Sequence, residues 1–241
     1  MDLLFPLTWN PADLPPVGVL MTATFAYALC FYFSQTSDTT PSALFRQRII
    51  GFGFLGLLPL LADVLWIPGT LAEHGLALGG AAIGAPAVAV LYAILAPVLF
   101  IACRQPMQLA LYPEIRLPLD QWNTPLIARN TATWALYLLA YEWLFRGFLL
   151  FPLVAAWGLW PGLSVMIGLY VIVHLDKAPS EAFSCFPMGV VFGLLALETG
   201  SIFWPWILHI GIAVGSEMFC LLARKRLGDD HATKSNTPAK G

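Results

Sequence analysis

The chain has 241 residues, 59% of them hydrophobic and only 11% charged, with a formal net charge of −2. An ordinary globular chain carries about 25% charged residues. That balance excludes an ordinary soluble domain, and so small a net charge gives no sign of a nucleic-acid partner.

The first sixteen residues, MDLLFPLTWNPADLPP, contain no Lys or Arg, so they lack the basic region of a signal peptide and are expected to be retained. No lipidation signal is expected, since position 2 is not glycine and the chain ends TPAKG. Seven apolar runs follow, of the length that crosses a bilayer, about 17–25 residues each. They cover 17–34, 49–67, 81–103, 131–152, 159–175, 183–197 and 202–223. The expected fold is therefore all-α: a polytopic membrane helical bundle of about seven transmembrane helices. Three N-terminal spans occupy 1–103, a Pro-rich loop of mixed charge occupies 104–130, a four-helix core occupies 131–223, and a disordered tail occupies 224–241. No internal repeat is visible, and no inverted repeat of the kind many transporters show.

The basic residues fix an expected orientation. Arg46 and Arg48 follow the first span, Arg104, Arg116 and Arg129 lie between the third and fourth, Lys177 lies between the fifth and sixth, and Arg224, Lys225 and Arg226 follow the seventh. Every basic loop falls on one side, which the positive-inside rule assigns to the cytoplasm. The N-terminus is then outside and the C-terminus and the 104–130 loop inside, in an integral protein of a plasma membrane. Cys30, Cys103, Cys185 and Cys220 have no C-x-x-C spacing and read as small apolar residues.

The fourth run, YLLAYEWLFRGFLLF, carries Glu142 and Arg146 at i and i+4, on one helix face, where they can pair. A charge at the bilayer centre costs about 2.5–3.5 kcal/mol on insertion scales. Pairing lowers that cost without removing it. His174 ends the fifth run, Glu181 opens the sixth, His209 lies inside the seventh and Glu217 follows it by about two turns. Alone, a buried Glu–Arg pair equally fits a role in helix register, and a lone membrane histidine one in packing. Asp63 and Glu198 sit at span ends and are given no role. Two histidines and a carboxylate from separate spans fit a divalent metal site, zinc or a similar ion, with His174, His209 and Glu142 as ligands and Arg146 orienting Glu142.

In order and spacing, YEWLFRG, YVIVH and FPMGVVFGLLALETGSIFWPWILH resemble the CPBP family of intramembrane proteases, which includes CAAX prenyl endopeptidases of the Rce1 type and many bacterial Abi proteins. The resemblance covers about 130–220 and implies a metal-dependent endopeptidase in a bacterial plasma membrane. It would act on a peptide or protein substrate near the lipid bilayer surface. It implies His174 and His209 as ligands or water-binding groups, Glu142 as base or ligand, and Arg146 as its orienter. Glu181 would be an auxiliary carboxylate, and Glu217 a substitute one turn below Ala213. Two positions depart from the family pattern. Tyr141 stands at the family's first glutamate, and tyrosine, with a reference pKa of about 10, is a poor base at neutral pH. Ala213 stands at the final asparagine or aspartate, where loss of an oxyanion donor typically costs about a hundredfold or more. The alternative is a catalytically inactive member acting as a membrane scaffold or binding protein. A proton-coupled carrier using Glu142, Arg146 and His209 is a third reading.

Overall fold

The computed structural model describes residues 14–175 and 179–228. Residues 1–13, Lys177 and the tail from 229 onward, on which parts of the orientation and tail expectations rest, lie outside the described residues. The order is α1 (Leu14–Ser34), α2 (Pro41–Trp66), α3 (Ala81–Ala102), a short α4 (Pro106–Leu111), α5 (Thr124–Trp157), α6 (Leu159–Ile172), α7 (Pro179–Thr199) and α8 (Phe203–Leu227). The described residues are helical and loop throughout, so the all-helical bundle stands.

Six of these helices are long and apolar enough to cross a membrane; α6, with 14 residues, is shorter. The apolar run from 159 continues to 175, but the helix ends at Ile172 and the chain turns at Val173. The fourth span differs in the other direction. It starts at Thr124 rather than 131, because Asn123 caps it by accepting the Leu126 N–H at 3.0 Å. The polar Asn130 in its second turn is buried against another helix rather than left in a loop. Gly158, at φ +84°, ends α5 and lets the chain reverse into α6, a backbone conformation that side-chain-bearing residues rarely adopt.

α5 is the axis of the bundle. In its most apolar window 78% of residues are buried, against 0% for α3, which lies at the edge of the bundle and packs on α8 and α7. α2, α6 and α8 pack directly on α5, α7 lies beside α6 and α8, and α1 covers the junction of α2 with α5. Lipid tails are as apolar as leucine, so helices in a bilayer associate by close packing at small residues. Tyr92 of α3 lies on Gly211 of α8, where an added Cβ would stand 2.9 Å from its ring. Trp204 packs on Gly84 and donates its indole N–H to the Gly79 carbonyl at 2.7 Å.

Two stretches widen into π-helical turns, Gly53–Leu57 in α2 and Trp143–Leu149 in α5. They face one another: a Cβ on Gly56 would stand 3.0 Å from that of Ala140, just before the α5 stretch. Such turns are rare and concentrate at functional sites. Within the α5 stretch Gly147 admits the Trp143 ring on one side and the His74 carbonyl, 3.1 Å from an added Cβ, on the other. Gly147→Val is expected to destabilise by about 1–3 kcal/mol through overpacking. Gly18→Ala, where nothing lies within 4 Å, is expected to leave stability unchanged or slightly raised. Thermal unfolding of both variants in mild detergent checks the contrast.

Candidate active site

The α5 π stretch begins just after Glu142, and Arg146 lies within it. Their side chains are both fully buried, with Arg146 Nη1 3.2 Å from Glu142 Oε1. The same oxygen accepts a second hydrogen bond from across the bundle: His209 Nδ1 of α8 lies 2.6 Å away. An ionised carboxylate can only accept, so His209 Nδ1 is the donor in this bond, and in the neutral ring Nε2 then carries the lone pair. The register of α8 against α5 is held by a further bond, from the Trp206 indole N–H to the Ala135 carbonyl at 2.8 Å.

Arg146 is enclosed by aromatic rings from three helices. Its guanidinium carbon lies 4.1 Å from the Tyr170 ring centroid, 5.1 Å from Phe192 and 5.9 Å from Phe145. A weakly hydrated guanidinium tolerates such a cage better than an ammonium would. Glu142 Oε2 and Arg146 Nε and Nη2 are buried with no well-aligned protein partner, so the pair keeps hydrogen-bonding capacity for a water or a substrate group. The His209 side chain is 17% exposed whereas Glu142 and Arg146 are at 0%. Access to the cluster is therefore through His209.

His174 lies on the other side of Tyr141. The Tyr141 ring meets both imidazoles edge-on, with centroids 5.9 Å from His174 and 6.1 Å from His209. His174 Nδ1 lies 2.7 Å from the carbonyl of Tyr170, one turn back, and 3.4 Å from the Tyr141 hydroxyl. The last carbonyls of a helix lack intrahelical donors, so His174 also caps the end of α6. Its Nδ1 is protonated by the same argument that applies to His209. Behind Phe145 an apolar cavity of about 120 Å³ lies between α1, α5 and α6, lined among others by Tyr27, Leu144, Leu169 and Val173.

The structure thus gathers Glu142, Arg146, His209, Tyr141 and His174 but does not arrange them as a metal's ligands. Among the described residues no three His, Cys, Asp or Glu side chains converge on one point. Glu142 Oε1 is taken by Arg146 and His209, and the two histidines flank a tyrosine ring. Glu142, His174 and His209, expected as zinc ligands, thus do not converge on one point as they are placed here.

Glu181 and Glu217 lie elsewhere. Glu181 accepts from the Tyr112 hydroxyl at 3.1 Å, tying the 104–123 segment to the start of α7. Burial and the adjacent Glu181 carboxylate push the Tyr112 phenol well above its ordinary range, so it remains the donor. Glu217, fully buried, accepts the Glu114 N–H at 3.1 Å and the Asn130 amide at 3.5 Å. It belongs to a second network and does not stand in for a polar group at Ala213. There Arg48, 3% exposed, binds Glu114 at 2.9 Å, Asn130 Oδ1 at 2.7 Å and the Thr133 hydroxyl at 3.1 Å, over the Trp134 ring.

Asp63, expected to be a span-end residue without a role, is buried and lies 2.8 Å from His74 Nδ1. Nothing in the spacing of residues 63 and 74 signals that pair. For Glu217 a signal existed: an ionisable residue inside a span needs a partner, and Arg48 at the edge of the second span is a candidate cation.

Removing one member of a buried pair is far worse than removing both. Glu142→Ala is expected to cost about 3–5 kcal/mol, since it strands Arg146. Glu142→Leu combined with Arg146→Met is expected to recover most of that stability. Thermal unfolding of the two variants reads the difference.

Residues 123–215 match a family model described as type II CAAX prenyl endopeptidase Rce1-like. The match contains Tyr141, Glu142, Arg146, His174, Glu181 and His209, and omits α1 to α4 and Glu217. No curated protein and no solved structure gives a match.

Proposed function

We propose that this chain, placed in the Rce1-like family by residues 123–215, is an intramembrane endopeptidase that activates water through His209 and Glu142. The observation that carries the reading is the 2.6 Å bond from His209 Nδ1 to a carboxylate oxygen held on its other side by Arg146. A carboxylate behind an imidazole fixes its tautomer and stabilises the imidazolium that forms when the ring takes a proton.

In this reading His209 Nε2 takes a proton from water and the resulting hydroxide adds to the carbonyl carbon of a peptide bond. The tetrahedral intermediate collapses as the imidazolium returns the proton to the departing amine nitrogen, and the C–N bond breaks. Glu142 is a positioning residue: buried and doubly engaged, it orients His209 and balances its charge. Arg146 holds Glu142 in place through the 3.2 Å contact. The Tyr141 hydroxyl supplies a donor to the oxyanion that Ala213 cannot. No step is routed through a divalent ion, because Glu142, His174 and His209 do not converge on one point among the described residues. The 120 Å³ cavity behind Phe145 offers a recess for an apolar group of the substrate. The membrane side carrying most of the basic residues is the cytoplasmic one, and the substrate is a peptide segment lying at the membrane.

A second reading is favoured by Tyr141 and Ala213: a family member that keeps the fold and binds peptides without turnover. One comparison separates the two. Purified protein in vesicles is offered membrane-anchored fluorogenic peptides, with His209→Ala and a Tyr141→Glu/Ala213→Asn double variant run alongside. The enzyme reading expects wild-type cleavage that falls by about 100-fold or more in His209→Ala, the order of a lost general base. It also expects cleavage to persist in the presence of a chelator. Cleavage by the double variant alone establishes the silent member. Cleavage by neither overturns the enzyme reading and leaves only binding.

A further inference from the structure

α3 and α8 end at the same level. Arg104 lies two residues beyond the apolar end of α3, and Arg226 lies in the last turn of α8. In a bilayer this is the depth of the phosphate layer. Both guanidinium groups converge on one ring: Arg104 lies 4.4 Å and Arg226 5.8 Å from the centroid of Phe100. Phe100 packs edge-on against Phe219 of α8, with centroids 5.6 Å apart.

Two like charges brought to one ring repel each other unless an anion lies between or beside them. Among the described residues neither arginine has a carboxylate partner. Their neighbours differ. Arg116 donates to the carbonyls of Leu109 and Ala110, and Arg224 donates to those of Leu109 and Tyr112. These two close the end of α4, while Arg104, Lys225 and Arg226 remain exposed. Around the exposed three, Ile101, Met107, Leu222 and Leu227 present large apolar side chains outward. Cations at phosphate depth beside lipid-facing apolar groups match both ends of one molecule.

We infer that the Phe100 platform is a binding site for an anionic phospholipid, its phosphate held by Arg104 and Arg226 and its acyl chains lying along α3 and α8. The excess of the two arginines over one phosphate selects a headgroup with no positive charge of its own. The bound lipid joins α3 to α8, the helix that carries His209. The site does not depend on catalytic turnover or on the orientation of the chain.

Native mass spectrometry of the full protein in mild detergent tests this, with phosphatidylglycerol and phosphatidylcholine of the same acyl chains as probes. Preferential retention of phosphatidylglycerol is expected. A surface Lys or Arg contributes roughly fivefold to anionic-lipid binding. Arg104→Gln and Arg226→Gln should therefore each weaken retention about fivefold, and the double variant about twenty-fivefold. Arg46→Gln, at an exposed arginine of α2, should change nothing. Phe100→Leu retains both charges and should still weaken binding severalfold, which a merely diffuse attraction would not show. Unfolding temperatures in the absence of added lipid establish that each variant is folded. Equal retention of the two lipids, wild-type retention by the double variant, or displacement of the lipid by inorganic phosphate would each overturn the inference.

Discussion

One carboxylate oxygen organises the matched segment of this molecule, residues 123–215. Glu142 Oε1 accepts from Arg146 on its own helix and from His209 on α8. Arg146 is packed against Tyr170 of α6 and Phe192 of α7. All four helices of the Rce1-like segment thus close around a single ionised group. In so apolar a setting a charge without partners is prohibitively expensive. The rings around it and the π stretch that spaces Glu142 from Arg146 are the conditions under which it can exist there.

The second network solves a different problem at another place. Arg48, Glu114, Asn130, Thr133 and Glu217 join α2, α5, α8 and the segment after α4 by hydrogen bonds rather than by apolar contact. Packing alone gives little directional force between helices in lipid, so polar groups of this kind fix which faces meet. Tyr112 and Glu181 extend the same fastening to the start of α7. The chain has separated its buried charges into one group with access through a partly exposed imidazole and another that joins helices.

Much of this was legible in the residues. The apolar runs give the helices because a bilayer demands about twenty apolar residues of each, and the i,i+4 spacing gives the Glu142–Arg146 pair. Tyr141 and Ala213 stand out against the family pattern without any structure. What was not legible depends on contacts between distant segments. The bond from His209 to Glu142 makes the carboxylate a partner of imidazole rather than a fellow ligand, and only the relative rotation of α5 and α8 decides that. The Asp63–His74 pair depends on how a loop folds back onto a helix end. The Arg48–Glu114 and Glu114–Glu217 contacts join three separate stretches of chain. The fifth apolar run is continuous to 175, yet its helix stops at Ile172, where a turn and the His174 ring satisfy the last carbonyls instead.

The brevity of α6 carries a consequence for the surrounding lipid. Fourteen residues rise about 21 Å, well short of a hydrocarbon core of roughly 30 Å. A span shorter than its surroundings is met by thinning of the bilayer beside it. Thinning of this kind would fall along α6, bordering α1 and the cavity behind Phe145, and would end at His174. Headgroups and the water that hydrates them would be drawn inward at that point. A polar backbone could then reach His174 and Tyr141 over a shortened apolar distance, without a continuous aqueous channel through the bundle.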